Sequence, residues 1–85
     1  MFYAYILKSD KNDELYIGST KDLKRRLTEH NKGLVESTKR KYPYVLIYYE
    51  AYKLELDARR RESMLKLRGQ ARRQLLSRLK DSLKN

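Results

Sequence analysis

The chain has 85 residues, no cysteine, and 21 Lys and Arg against 11 Asp and Glu, a formal charge of +10. A chain this short buries only about 60–65% of its unfolded surface, so residues 1–85 are expected to form one domain; disulfides and thiolate metal sites are excluded, which fits a cytoplasmic protein. The opening MFYAYILKSD is apolar but too short to span a bilayer and lacks a signal-peptide pattern, so no membrane association is expected. The basic excess is net +4 over 1–53 and +6 over 54–85. Charge spread in this way over a compact chain points to a polyanion, nucleic acid before a membrane surface.

FYAYIL alternates with period 2, placing Phe2, Ala4 and Ile6 on one face and Tyr3, Tyr5 and Leu7 on the other, as in a strand. SDKNDE is a polar turn and LYIGS a second strand, so residues 2–19 read as a β-hairpin. From Lys21 to about Lys32 the period becomes helical, with Thr20 as the expected N-cap, Asp22 in the first turn and Gly33 as the stop. Residues 34–43 are polar and basic and read as a loop. YVLIYYE, 44–50, is β-branched and aromatic and reads as a central strand. Helices follow over about 54–67 and, after Gly69, about 70–83, the latter amphipathic through Leu75, Leu76, Leu79 and Leu83. The expected fold is α/β in the α+β sense: a small three-stranded antiparallel sheet flanked by helices, in the order β-β-α-β-α-α.

Helical phase separates residues that adjacency does not. With Leu23 and Leu27 astride the buried stripe of the first helix, His30 falls about 40° from its centre, Arg26 about 80° and Arg25 about 180°. Arg25 is therefore a surface charge, while Arg26 and His30 form a polar edge against the sheet. In the second helix, with Ala58 at zero, Leu65 lies at about −20°, Leu54 at about −40° and Glu62 at about +40°, which puts a carboxylate within an apolar stripe. Leu56, Met64 and Leu67 mark a second apolar side, as if that helix were sandwiched between the sheet and the last helix.

A buried carboxylate pairs with a cation or binds a metal. Each residue also has a structural reading: a snorkelling arginine, a satisfied histidine, or a Glu62–Arg26 ion pair. Taken together, Arg26, His30 and Glu62 near Tyr5, Tyr16 and Gly18 on one sheet face suit a phosphodiester site. An arginine can stabilise developing charge on a phosphate, a carboxylate can hold Mg²⁺ with water completing its shell, and a tyrosine can serve as general base.

This set resembles the GIY-YIG endonuclease superfamily. Its second motif stands as Tyr16-Ile17-Gly18, and the first is reduced to Tyr3-Ala4-Tyr5; DLKRRLTEHN and ARRRE follow in order. The resemblance covers residues 2–67 and is closest to small stand-alone members similar to the N-terminal nuclease domain of UvrC. It implies hydrolysis of DNA phosphodiester bonds, with Tyr5 or Tyr16 as general base or water-positioning group and Arg26 on the scissile phosphate. His30 supports the same site, and Glu62 ligates one Mg²⁺ or Mn²⁺ ion. Gly18 permits close approach of backbone or substrate. From charge, Lys21 and the loop Thr38, Lys39, Arg40 and Lys41 are further phosphate contacts. Tyr3 replaces the family's first glycine, which bears on the width of the cleft. The implied role is DNA repair or recombination with low sequence specificity. RNA stays open as a substrate, because one phosphate site does not sense the 2′-hydroxyl. The alternatives are a non-catalytic nucleic-acid-binding module, which has no need of Glu62, and a subunit docking through its apolar helix. The sequence does not fix the oligomeric state.

Overall fold

A computed structural model describes residues 1–84; Asn85, the last residue of the expected 1–85 unit, lies outside the described residues. The elements are β1 (Phe2–Ser9), β2 (Leu15–Thr20), α1 (Leu23–Asn31), β3 (Tyr44–Tyr52), α2 (Glu55–Lys66), α3 (Gln70–Arg78) and a short α4 (Lys80–Leu83). The expected α+β order holds, with the last helix in two pieces. The strands form one antiparallel sheet in the order β2-β1-β3.

β1 is therefore the central strand, and β3, expected there, is an edge. β1 has helices over both faces, and its residues from Ala4 to Ser9 are all buried. On one face Tyr5 and Leu7, with Tyr44 of β3, pack against Leu23 and Leu27 of α1. On the other, Ile6 and Ile17 pack against Leu65 of α2 and Leu75 of α3. Beyond Tyr44, β3 keeps Tyr48 and Tyr52 toward the rim, where their hydroxyls donate to Glu50. Strand propensity reflects side-chain shape and packing, and does not separate a centre from an aromatic edge. A register shift at Ile6/Leu7 re-aims β3 against β1.

The N-cap of α1 is Asp22, not Thr20. Thr20 is still paired with Tyr3 in the hairpin, and its hydroxyl accepts from the Asp22 amide at 3.1 Å. The helix starts only beyond that turn, and the Asp22 carboxylate accepts from the Arg25 amide at 3.1 Å. The stop is at Gly33, whose φ of 72° is cheap only for glycine. Leu34 N–H donates to Glu29 O and Gly33 N–H to His30 O, the paired bonds of a Schellman end.

The second helix departs most from its expected stripe. Ala58 and Leu65 are buried, but Leu54 is 59% exposed, and Leu56, Met64 and Leu67 also face outward. α3 covers only the C-terminal part of α2, so α2 is not sandwiched; Arg72 ties the two helices by donating to the Leu65 carbonyl at 3.4 Å. The helix expected over 70–83 breaks at Leu79, and Lys8 Nζ donates to the Leu83 carbonyl at 2.6 Å. No helix among the described residues is long and apolar enough to cross a membrane.

Candidate active site

Tyr5 sits mid-way along the central strand with 1% of its surface exposed. Its hydroxyl lies 3.0 Å from His30 Nε2, and His30 Nδ1 lies 2.8 Å from Thr38 Oγ1. Thr38 in turn donates to the Val35 carbonyl. Because the Thr38 hydroxyl donates to Val35, its oxygen accepts from His30 Nδ1–H; Nε2 is then left to accept from the Tyr5 hydroxyl, and every group in the column is satisfied. Burial, reinforced by the Arg26 charge, pushes the imidazole down to about 4, so His30 is neutral at physiological pH. Burial and the neighbouring Tyr16 push the Tyr5 phenol up to about 12, although Arg26 opposes them. The rings of Tyr16 and Tyr44 close on His30 with centroids at 4.8 and 5.9 Å.

Gly18 faces Tyr5 across the β1–β2 ladder. A Cβ there would meet the Tyr5 hydroxyl at 2.5 Å and Cζ at 2.7 Å. The close approach that Gly18 permits is thus that of the Tyr5 ring.

The outer edge of β2 lies in a cleft of about 400 Å³ between α1 and α2. Tyr5, Tyr16 and Gly18 line it from one face of the sheet, and Ser19, with Arg59 and Glu62 of α2, from the other; Arg26 of α1 completes it. The twin arginines divide as phase requires. The Arg25 side chain is 75% exposed, whereas that of Arg26 is 36% exposed and donates to Glu29 at 3.1 Å. Glu62 accepts from the Ser19 hydroxyl at 2.5 Å and pairs with Lys66 at 2.7 Å, in place of the Arg26 pair considered from sequence.

Tyr5, Tyr16, Gly18, Arg26 and Glu62 thus meet in one cleft, and His30 lies directly beneath. Lys21 lines an adjoining groove that shares Ser19 and Arg26 with the cleft. The loop expected to contact phosphate does not join them. Thr38 is buried at 1% exposure and supports His30, so it cannot reach a substrate. Lys39 pairs with Glu36 and Lys41 with Glu14; neither they nor Arg40 line the cleft.

Sequence reasoning missed Arg59 and Ser19. Arg59 precedes Glu62 by three residues and so shares its side of α2, a signal that singles it out within ARRRE. Ser19 alternates with Gly18 and so lies on the α2 face of β2. Arg61, two residues after Arg59 in the same run, is engaged elsewhere, donating to both oxygens of Glu50 at 2.9 and 3.0 Å.

No cluster of three or more His, Cys, Asp or Glu side chains suited to a metal occurs among the described residues. Glu62 suits a cation that takes few protein ligands and keeps its waters, as Mg²⁺ does. Its two oxygens offer about four lone-pair sites, which Ser19 and Lys66 do not exhaust.

The family model of the GIY-YIG catalytic domain matches residues 1–75. A UPF0213 protein of Clostridium perfringens is 37% identical over 67 residues, 78% of this chain and 71% of that protein. One from Staphylococcus haemolyticus is 38% identical over 65 residues, 75% of this chain and 78% of the relative. The solution NMR structure of a UPF0213 protein from Bacillus halodurans is similar with a TM-score of 0.55 at 29% identity, over 94% of this chain and 86% of that one. With the Tyr-Ile-Gly strand, the Arg26–His30 helix and Glu62 placed around one cleft, the chain belongs to the GIY-YIG catalytic-domain family.

Proposed function

We propose that residues 1–85 act as a single GIY-YIG-type endonuclease unit, hydrolysing DNA phosphodiester bonds in the cytoplasm with a divalent metal and low sequence specificity, in repair or recombination. One observation carries this reading: Arg26, Tyr16 and Glu62, contributed by a helix, a strand and a second helix, open into the same cleft. Arg26 and Arg59 supply two guanidinium groups for the non-bridging oxygens of a scissile phosphate. Glu62 would hold one Mg²⁺ or Mn²⁺ ion, which stabilises charge on the leaving oxygen when bound.

The two tyrosines differ in fitness for the proton-transfer role. Tyr5 is buried, its phenol is raised to about 12 and its proton is directed at His30. Tyr16 is half-buried and borders the cleft. Tyr16 therefore orients or deprotonates the attacking water, while Tyr5 and neutral His30 hold the wall behind it. The cleft offers groups for phosphate and metal, which supports low sequence specificity.

The test is cleavage by the purified protein, with Mg²⁺ or Mn²⁺, of plain, nicked, flapped and branched DNA, with RNA as a separate arm. Glu62→Ala and Arg26→Ala should each lower cleavage by about 100-fold or more, and Arg25→Ala should leave it within about threefold of wild type. Failure to cut any DNA form with either metal, or full activity of Glu62→Ala, overturns the reading. Metal-independent, salt-sensitive binding that Glu62→Ala leaves intact would instead favour a non-catalytic binding module.

A further inference from the structure

On the flank of α1 away from Glu62, the sheet is incompletely covered. A pocket of about 500 Å³ opens there, within the range of about 300–1,000 Å³ typical of small-ligand sites. Its floor is Leu23, Leu27 and Leu46, and its walls are Tyr3 and Tyr49, whose ring centroids lie 5.8 Å apart at 69°. Tyr49 faces the same side of the sheet as buried Tyr5, its partner across the ladder, yet is 52% exposed. Exposed Lys21 and Lys24 stand at the rim. The rim's acidic residue, Asp22, caps α1 through the Arg25 amide. Lys21 and Asp22 also line the groove that contains Arg26 and shares Ser19 with the cleft, so the two depressions are joined around the start of α1.

We propose that this pocket receives an unpaired nucleobase of the strand whose phosphate lies at Arg26. The base stacks on the exposed ring of Tyr49, with Tyr3 edge-on beside it, and Lys21 and Lys24 take the flanking phosphates. Three features select this occupant. The walls are two tyrosines with an apolar floor, which suits the face of a base. The rim is cationic in a chain of charge +10. The groove to Arg26 gives the backbone a basic path. A base inside a duplex is stacked on its neighbours and cannot enter, so the site selects DNA with a single-stranded flank, such as a flap or a frayed end. The placement of the phosphate at Arg26 rests on the function proposed above, which this inference deepens by naming the substrate class.

The test is binding, so that it does not depend on cleavage. In the Glu62→Ala background, the Kd for a fluorescently labelled single-stranded oligonucleotide and for a plain duplex is measured by anisotropy. Tyr49→Ala should weaken single-strand binding by about 5- to 150-fold, the range of one lost base stack. It should leave duplex binding within about twofold. Tyr49→Phe keeps the ring and should bind as the parent does. Unaltered single-strand binding by Tyr49→Ala, or equal loss on both ligands, overturns the proposal. If the wild type cuts flapped DNA but Tyr49→Ala shows no single-strand defect, the pocket fails alone. If no DNA is cut yet the defect appears, the nuclease reading fails and the pocket stands.

Discussion

Acid should unfold this protein through His30. The imidazole is fully buried between Tyr5 and Thr38, with the rings of Tyr16 and Tyr44 against it. Of the charges that face it, Arg26 acts with burial to disfavour a proton, and Glu29, which favours one, is outweighed. In the unfolded chain the same group titrates near 6.5, and in the fold near 4. Between those values the unfolded state binds more protons, so stability is present above about pH 6.5 and lost as pH falls toward 4. The full difference is about 3 kcal/mol, of which about 2 kcal/mol is gone by about pH 5. For a chain of this size that is about 8–16 °C in Tm. Urea melts followed by circular dichroism at about pH 7.5 and pH 5 measure it, with His30→Gln, which keeps a donor and an acceptor but does not titrate, as reference. Wild type should lose about 2 kcal/mol more than the variant over that interval. Parallel losses would refute the reasoning, because carboxylates common to both proteins would then account for the acid sensitivity.

Gly18→Ala should cost about 1–3 kcal/mol, measured by thermal or urea unfolding, because the new methyl meets a Tyr5 ring held by His30. Lys66→Ala removes a cation 2.7 Å from Glu62 and should lower the Mg²⁺ concentration for half-maximal cleavage by about two- to fivefold, as expected for a partly exposed pair; an unchanged or raised midpoint counts against Glu62 as the metal ligand. Two arginines of ARRRE should separate. Arg59→Ala should reduce cleavage about tenfold and leave the melt within about 0.5 kcal/mol. Arg61→Ala, which strips Glu50 of a two-pronged partner, should cost about 1.5–3 kcal/mol and leave cleavage per folded molecule unchanged.

Much of the site could be read from periodicity, because periodicity is a statement about burial. A turn of 100° per residue separated Arg25 from Arg26 and put His30 inward, and the two-residue period put Tyr5, Tyr16 and Gly18 on one face. Hydrogen-bond neighbours and coverage were not legible. Nothing in YVLIYYE says that a single strand flanks it, and the leucines of α2 do not show that α3 would leave Leu54, Leu56 and Leu67 uncovered. Composition marked the loop at Thr38 as basic surface, but the threonine was recruited inward by an imidazole eight residues upstream. Ser19 went unnoticed because its use depends on α2 crossing the far face of the strand, a tertiary fact.

The outer margin of β2 has a further consequence. The cleft reaches both faces of the sheet only by passing over that margin, where no fourth strand lies beside β2 among the described residues. An open strand edge is also where a stray extended chain can add itself by backbone pairing. Here such an intruder and a nucleic-acid strand would compete for one place. Occupancy by substrate shields the edge from self-association, and any strand added there would bury Tyr16 and part Arg26 from Glu62. For the function proposed here, keeping this edge free therefore matters to the cleft as much as to solubility.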